Sequence, residues 1–523
     1  MGSSTRTVLG FSLMSSAAQI LGNGISLGAW CNSRTSGSRD ELRRPRPAVP
    51  CASRPAGRAR STRPHARYRS SRGYVAPPPR NAGGGAALAI RSKLAMTSAD
   101  WLPVTSPSPL MQREGRGPRA APGLSLAARM GRMGRRPMMQ SAARERTQGT
   151  STADAGDAVT IFLGGDVMTG RGIDQILPCP SDPVLYELAV EDARGYVELA
   201  ERASGPIPRP VDSSYVWGAA LEAWSRRAPL VRLVNLETAI TTSDEPCLKG
   251  INYRMHPGNV SCLTAAQIDC CALANNHILD WGVAGLFDTI ATLRSVNVAT
   301  AGAGRDLDEA AAPARIEVEG KRRVLIFSLG SETSGAPRSW GASADRPGIH
   351  RVDESSPAEV RRVLDVVRAA RREGDIVVAS IHWGPNWGYD VPEEQIALAH
   401  ALVDVAGVDV VHGHSSHHPK AIEVHAGRLI LYGCGDFVND YEGIRGFEAY
   451  RGDLAAMYFA TLRAATGELV RLELMPLQMR KFRLHRAARE DALWLKDVLD
   501  REGASFGTSV ELGEDGSLLL RRS

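Results

Sequence analysis

The chain has 523 residues and a formal net charge of +6, which combines two regions of opposite sign. Residues 1–150 carry 25 Lys and Arg against five acidic residues, a net charge of +20, so that 38 basic and 52 acidic residues, a net charge of −14, remain for the rest. The length alone suggests three domains, but this uneven division favours fewer, and the eight cysteines form no CxxC pair, which excludes the usual zinc-finger spacings.

Residues 1–155 are predicted to form a disordered extension, because they are rich in Arg, Ser, Pro and Gly and lack a sustained apolar period. This acid-poor composition is typical of an organelle transit peptide, although the segment is long for one. Nucleic-acid binding through residues 34–80 is less favoured, because aromatic residues are not interleaved in a way that supports base stacking. A poorly constrained or wrongly predicted 5′ extension is an alternative of at least equal weight. The uncharged residues 8–30 are a weak candidate for a signal or membrane anchor, and no later stretch is apolar enough to span a bilayer.

From about residue 157 the chain alternates short apolar runs with helix-like segments, which predicts an α/β fold with a layered core. Several runs are apolar almost throughout, as expected for strands that are buried on both faces. The predicted strands cover 158–166, 230–238, 268–277, 324–330, 375–384, 408–418 and 429–437, and the predicted helices cover 282–296, 356–372 and 393–406.

After residue 440 the pattern becomes antiparallel. Thr466-Gly467 and Asp515-Gly516 each separate two alternating runs, which predicts two β-hairpins with a helix over 490–501 between them. We therefore assign residues 156–440 to one domain and 441–523 to an extension packed on it.

Polar side chains gather where predicted strands end. In an open α/β sheet the carboxyl ends of neighbouring strands face one crevice, so residues distant in sequence converge there. Carboxylate, amide and imidazole groups together suit one or two divalent ions such as Mn, Fe, Zn or Mg, and a nearby histidine that is not a ligand can protonate a leaving group. The residues at these strand ends are Asp166, Glu237, Asn276, His277, His382, His412, His414, His417 and His418.

Six motifs in order carry a family resemblance. They are GDVMTGRG, NLETAIT, ALANNHILDWG, IHWG, GHSSHHPKAIE and LYGCGDF, and together they cover about residues 157–440. The series resembles the CapA-type capsule or poly-γ-glutamate synthesis proteins, whose fold is that of the calcineurin-like metallophosphatases. The resemblance implies a layered αββα sandwich, with the C-terminal hairpins as an addition.

The resemblance also implies a role for each matching residue. Met168 stands where the metallophosphatase pattern has a ligand histidine, and the final motif is Gly-His-x-x-His instead of Gly-His-x-His, so that His412 and His418 are alternatives to His417. Unless one of them takes that place, His412 and His418 are interpreted as structural histidines. The implied roles are Asp166 and His417 as ligands of a first metal, Glu237 near or bridging both metals, Asn276, His382 and His414 as ligands of a second metal, His277 as general acid oriented by Asp280, and Arg171 as the contact for an anionic substrate group.

Two functions of different classes follow. The first is a metal-dependent hydrolase acting on a phosphoester or on an amide-linked anionic polymer such as poly-γ-glutamate. The second is an accessory protein of polymer synthesis or export that binds such a polymer, or a subunit of the synthesis machinery, without chemistry of its own. ATP-driven ligation would need another subunit, because the chain has no phosphate-binding P-loop motif. The compartment stays open between an organelle and the cell surface.

Overall fold

The computed structural model of the protein describes residues 158–318 and 322–522. The predicted extension over 1–155 and the weak membrane candidate at 8–30 lie outside the described residues. Within the described part of the chain, no helix is long and apolar enough to cross a membrane.

The described part of the chain contains twenty-one strands, which form two large sheets and two short pairs. They are β1 Ala158–Val167, β2 Val231–Leu236, β3 Ala239–Ile240, β4 Arg254–Met255, β5 Cys270–Ala272, β6 Ala299–Ala301, β7 Ala303–Gly304, β8 Ala314–Val318, β9 Arg322–Ser331, β10 Gly348–Ile349, β11 Arg351–Val352, β12 Ile376–His382, β13 Val410–His414, β14 Ile422–His425, β15 Arg428–Leu431, β16 Asp436–Val438, β17 Leu454–Arg463, β18 Leu469–Arg480, β19 Arg483–Arg486, β20 Thr508–Leu512 and β21 Leu518–Arg522.

Among the described residues, nine α-helices connect these strands. Helix α7 shows why such segments start where they do: the Ser356 side chain accepts a hydrogen bond from the Glu359 N–H, and Pro357 occupies the first turn, where its missing N–H does no harm. The helices are α1 Arg171–Ile176, α2 Arg194–Ser204, α3 Ala219–Arg227, α4 Ser261–Ala265, α5 Gly282–Ser295, α6 Leu307–Ala311, α7 Pro357–Ala370, α8 Glu393–Asp404 and α9 Arg489–Gly503.

The first large sheet has ten strands in the order β20-β21-β18-β17-β1-β2-β5-β6, with β16 beside β1 and β19 beside β18. Strands β1, β2, β5 and β6 run parallel, whereas β17 runs antiparallel to β1. The second large sheet has seven strands in the order β11-β9-β12-β13-β15-β14, with β8 beside β9. Its central strands β9, β12, β13 and β15 are parallel. The fold is therefore a mixed α/β fold.

Three apolar clusters form the core, and alternate residues of a strand belong to different clusters. Ile161 and Val378 lie in a cluster to which both large sheets contribute. Phe162 faces a second cluster with helices α1–α5, and Val377 faces a third with α7 and α8. Because side chains alternate between the two faces of a strand, apolar residues at successive positions bury both faces of each sheet.

The two predicted hairpins and the helix between them are confirmed: β17 pairs with β18 across residues 466–467, β20 pairs with β21 across 515–516, and α9 lies between. The hairpin strand β17 pairs directly with β1, which the sequence did not predict. Helices α1–α3, which fill much of the interval between β1 and β2, were not predicted from the sequence.

Three predicted strands are wrong in extent. The strand expected over 268–277 ends at Ala272. The strand expected over 408–418 ends at His414, because the following Ser415 has a positive φ of 97° that a strand does not tolerate. The single strand expected over 429–437 is two strands, β15 in the seven-stranded sheet and β16 in the ten-stranded sheet. The chain crosses between the sheets at this point, where Gly435 has a φ of 73°.

Candidate metal centre

The polar residues at the strand ends of both large sheets come together. Asp166 lies at the end of β1 in the ten-stranded sheet, and His414 lies at the end of β13 in the seven-stranded sheet. Asp166 Oδ1 is nevertheless 3.6 Å from His414 Nδ1, and both side chains are fully buried. Parallel strands from two sheets thus deliver their carboxyl ends to one site, as the sequence pattern indicated.

Glycines allow the backbone to approach closely at Asp166. A Cβ atom on Gly165 would lie 1.7 Å from the carbonyl oxygen of Gly435, so only glycine lets β16 run beside β1. In that pairing Asp166 is the register partner of Asp436. Asp166 itself is fixed by Asn235, which donates to its Oδ1 at 2.8 Å, and by the Ser415 N–H, which donates to its Oδ2 at 3.0 Å.

Asp166 belongs to two groups of potential metal ligands. In the first, the ligand atoms of Asp166, His417 and Asp436 all lie within 4.8 Å of one another. In the second, the same holds for Asp166, His382 and His414. We call these the first triad and the second triad. Every member is buried, and Asp166 is shared by both.

Further polar groups surround the second triad. His382 Nδ1 lies 2.9 Å from His414 Nδ1, and His382 Nε2 lies 3.1 Å from Asn276 Oδ1. The other ring nitrogen of His414 is 2.8 Å from the Ser380 hydroxyl, which fixes the orientation of the ring. The predicted second-metal ligands Asn276, His382 and His414 therefore lie side by side.

Glu237 follows strand β2 and lies beside the second triad. Its Oε1 is 3.7 Å from His382 Nε2 and 3.5 Å from His277 Nε2. Its buried Oε2 has no hydrogen-bond partner among the described residues. A buried carboxylate oxygen without a partner is costly, so this atom fits a site that receives a cation.

The electrostatics agree with the donor set. Burial, together with the neighbouring Asp436, raises the pKa of Asp166 to about 7. Burial and the charges of Asp166 and Asp436 raise the pKa of Glu237 well above its ordinary value. Burial also lowers the pKa values of His382 and His414 well below the ordinary range, which leaves both imidazoles neutral. Crowded carboxylates next to neutral imidazoles are the combination that divalent ions stabilise.

His277 is held against Asp280. Its Nδ1 lies 2.7 Å from Asp280 Oδ2, and the Asp280 carboxylate also accepts a hydrogen bond from the Tyr253 N–H at 2.7 Å. Lys249 Nζ lies 2.8 Å from Asp280 Oδ1 and 3.2 Å from His277 Nδ1. Burial lowers the pKa of His277 to about 4, although Asp280 acts in the opposite direction. Its Nε2 is directed towards Glu237 and the second triad.

Arg171, predicted to contact an anionic substrate, has internal partners in this structure. Its guanidinium forms an ion pair with Asp440, donates to Glu187 at 3.1 Å and to the Tyr196 hydroxyl at 3.0 Å, and is only 4% exposed. Because these buried contacts occupy the guanidinium, they favour a role in fixing the loop after β16. The substrate role stays a prediction.

Met168 occupies the position of the expected ligand histidine, and the Tyr441 hydroxyl contacts its thioether. Met168 is buried, and the Tyr441 hydroxyl donates to its Sδ at 3.5 Å. The same hydroxyl lies 3.4 Å from His417 Nε2, on the side of the ring opposite Asp436. Although burial alone lowers the pKa of His417, Asp436 and Asp166 raise it above its ordinary value.

The two histidines left as structural belong to neither triad. His418 stacks on Tyr450 and accepts a hydrogen bond from the Gly388 N–H. His412 lies behind the second triad, where its Nδ1 is 3.1 Å from the Ser380 hydroxyl that also contacts His414. Asp436 was not predicted as a site residue, although it belongs to LYGCGDF, the last of the six motifs. Strand β16 was merged with β15, so the parallel pairing that carries Asp436 to Asp166 could not be seen.

Comparison with known proteins identifies the family. The model of the bacterial capsule synthesis protein family PGA_cap matches residues 160–441, which include both triads. A probable polyglutamine synthesis accessory protein of Mycobacterium tuberculosis is 48% identical over 364 residues, covering 69% of this chain and 96% of that relative. The PGA biosynthesis protein CapA of Bacillus subtilis is 27% identical over 367 residues, covering 68% of this chain and 82% of that relative.

A solved structure, GAP50, described as the anchor in the inner membrane complex of Plasmodium, aligns over 69% of this chain and 98% of its own with 8% identity and a TM-score of 0.26. At that level of similarity the alignment carries no inference. The family match and the relative at 48% identity confirm the resemblance drawn from the six motifs, and the chain belongs to the bacterial capsule synthesis protein family PGA_cap.

Proposed function

We propose that this protein acts in the synthesis of an anionic capsule-type polymer as a metal-dependent hydrolase. The observation that carries the proposal is the sharing of Asp166 between two buried triads, because a carboxylate common to two ligand groups is the arrangement by which proteins hold two ions close together. The names of the two relatives, which refer to polyglutamine synthesis and PGA biosynthesis, support a polymer of this kind. The two face-to-face sheets with helices on their outer faces support a metallophosphatase-type αββα sandwich as the fold.

The donor set fits one or two divalent ions of the Mn, Fe, Zn or Mg group. Asp166, His417 and Asp436 would hold one ion, and Asp166, His382 and His414, with Asn276 and Glu237 beside them, would hold the other. When bound, such ions supply Lewis-acid activation of water and of the bond to be cleaved.

His277 is suited to transfer a proton at its Nε2. The Asp280 carboxylate holds the other ring nitrogen at 2.7 Å, which sets the tautomer and the direction of Nε2. Neither triad contains His277, so its removal should separate proton transfer from metal binding. The substrate bond is a phosphoester or an amide of the polymer.

The first experiment measures metal content and hydrolysis in the same preparations. Wild-type protein and the Asp166→Asn variant are stripped with chelator, equilibrated with Mn²⁺ or Zn²⁺ and analysed by mass spectrometry. We expect Asp166→Asn to lose about two equivalents relative to wild type. Asp409→Asn is the matched control, because Asp409 is equally buried but lies at the start of β13, away from both triads. Equal metal content in Asp166→Asn and wild type would contradict the proposal.

The second experiment tests the proton transfer. Hydrolysis of an aryl phosphate, an aryl phosphodiester and poly-γ-glutamate is compared between wild type and His277→Gln. We expect the variant to keep its metal and to lose a factor of about 10² to 10⁴ in rate on the true substrate. His485→Gln, an exposed histidine on β19, is the control.

A non-catalytic accessory role is the second candidate function. Met168 in place of a ligand histidine favours it, since Met168 and Tyr441 leave the first triad with fewer strong ligands. The mycobacterial relative is named an accessory protein, which also favours a non-catalytic role. Metal binding without hydrolysis of any of the three substrates, together with unchanged polymer binding in His277→Gln, would support this role over the hydrolase.

A further inference from the structure

A third group of potential metal ligands lies between helix α8 and strand β14. The ligand atoms of His400, Glu423 and His425 all lie within 4.8 Å of one another, and the three side chains are partly buried. His400 Nε2 is 3.0 Å from Glu423 Oε1, and His425 Nε2 is 2.9 Å from both carboxylate oxygens of Asp404. Two imidazoles and one carboxylate therefore meet at one place, and Asp404 holds the Nε2 of His425 from outside this group.

The spacing of these residues follows from their secondary structure. His400 and Asp404 are four residues apart on α8, so both lie on the same helix face. Glu423 and His425 are two residues apart on β14, so both point to the same side of the sheet. Each element contributes one imidazole and one carboxylate to the gap between them.

From this geometry we propose that His400, Glu423 and His425 form a binding site for a single divalent transition-metal ion, with Zn²⁺ as the best match, and that Asp404 orients the His425 ring through its Nε2. Two imidazoles and one carboxylate are a ligand set that suits tetrahedral Zn²⁺, with the fourth position left for water. The Tyr432 hydroxyl donates to Glu423 Oε2 at 2.7 Å and so orients that carboxylate from behind. A bound ion would replace the direct contact that now joins His400 to Glu423.

This site is separate from the two triads. His425 is the register partner of Arg428, which precedes Leu429, and Leu429 pairs with Val410 at the start of β13. His414 of the second triad is the last residue of the same strand. Four residue steps along a strand correspond to roughly 13 Å, so the group lies towards the opposite end of the sheet.

A bound ion would tie strand β14 to helix α8. Strand β14 ends the order of the seven-stranded sheet, and its one partner among the described strands of that sheet is β15. Edge strands are the least restrained part of a sheet, so a metal link to the helix would stabilise this edge without taking part in chemistry at the triads. We expect zinc binding at this site to raise the melting temperature and leave hydrolysis unchanged.

The test counts zinc in the full chain. Wild type, the double variant His400→Gln and His425→Gln, and the control His485→Gln are stripped of metal, equilibrated with micromolar Zn²⁺ and passed through a desalting column. We expect the double variant to hold about one zinc equivalent less than wild type, and the control to match wild type. The same comparison in an Asp166→Asn background, where zinc at the triads is weakened, should leave this one equivalent as the main signal.

Co²⁺ gives a second readout, because its visible absorption reports a tetrahedral nitrogen and oxygen environment. We expect the Asp166→Asn protein to show such a band and to lose it when His400→Gln and His425→Gln are added. Glu423→Gln, which keeps the hydrogen bond from Tyr432, should weaken zinc binding without disturbing the fold. Equal zinc content in the double variant and wild type, with both folded by circular dichroism, would overturn the proposal.

Discussion

At the scale of single residues, Glu237 is a buried carboxyl whose ionised form the metal-free protein disfavours. Its Oε2 is buried without a partner among the described residues, and Asp166 and Asp436 repel it. We expect Glu237→Gln to raise the free energy of unfolding of the metal-free protein by about 1–2 kcal/mol at neutral pH, because the amide removes the cost of burying this carboxyl with its pKa raised. Urea denaturation in the presence of chelator measures this change.

The same substitution should have the opposite effect when metal is present. Saturating Mn²⁺ or Zn²⁺ should stabilise wild type more than Glu237→Gln, since an amide oxygen is a weaker ligand than a carboxylate. Glu473→Gln is the control: Glu473 is paired with Arg227, so its loss should destabilise the protein with or without metal. A metal-free Glu237→Gln protein less stable than wild type would show that this carboxylate has a structural partner.

At the scale of elements, the pairing of β1 with β16 assembles the first triad. Gly165→Ala places a Cβ atom against the Gly435 carbonyl oxygen and should force the two strands apart. We expect a loss of about 3 kcal/mol in unfolding free energy, together with loss of metal from the first triad. Gly452→Ala is the control, because its added Cβ has no neighbour closer than 3.5 Å. Equal metal content in both variants would contradict this role of the pairing.

The hairpin β17–β18 should be part of the same cooperative unit as β1. Leu474 on β18 is fully buried in the cluster shared by both large sheets, whereas Val470 on the same strand is 54% exposed. We expect Leu474→Ala to cost about 2–5 kcal/mol and Val470→Ala less than about 0.5 kcal/mol. If residues 441–523 formed an independent extension, Leu474→Ala would instead produce a second, earlier unfolding transition that leaves the metal site intact.

The sequence predicted the parts of the site that follow directly from a strand, and missed those that depend on how sheets meet. Asp166, Glu237, Asn276 and His382 each follow or end an apolar run, so the rule that strand ends converge was enough to group them. Asp436 starts a strand, and its position depends on a crossing between sheets that no local pattern records. Lys249 and Tyr441 lie in loops, where position is set by tertiary packing. The hairpins were predictable because their Gly-containing turns are local signals.

At the scale of the whole molecule, the charge is divided between residues 1–150, with a net of +20, and the remainder, with a net of −14. An anionic polymer should therefore be repelled by the folded part at long range and attracted by the basic region. We expect the full chain to bind poly-γ-glutamate with an affinity that falls steeply between 50 and 300 mM salt, roughly as for other polyanion contacts. A chain beginning at residue 156 should show weak binding with little loss on adding salt.

Fluorescence anisotropy with labelled poly-γ-glutamate measures both chains. The matched control is an uncharged polymer of similar length, which neither chain should bind in a salt-dependent way. Any binding that the shorter chain keeps is then measured in its Asp166→Asn and Asp409→Asn variants. Loss of this binding in Asp166→Asn alone would assign the remaining contact to the metal centre, because screened surface charge cannot distinguish the two variants. Equal affinity and equal salt dependence in the full and shortened chains would contradict the attraction by residues 1–150 and place polymer capture on the folded part alone.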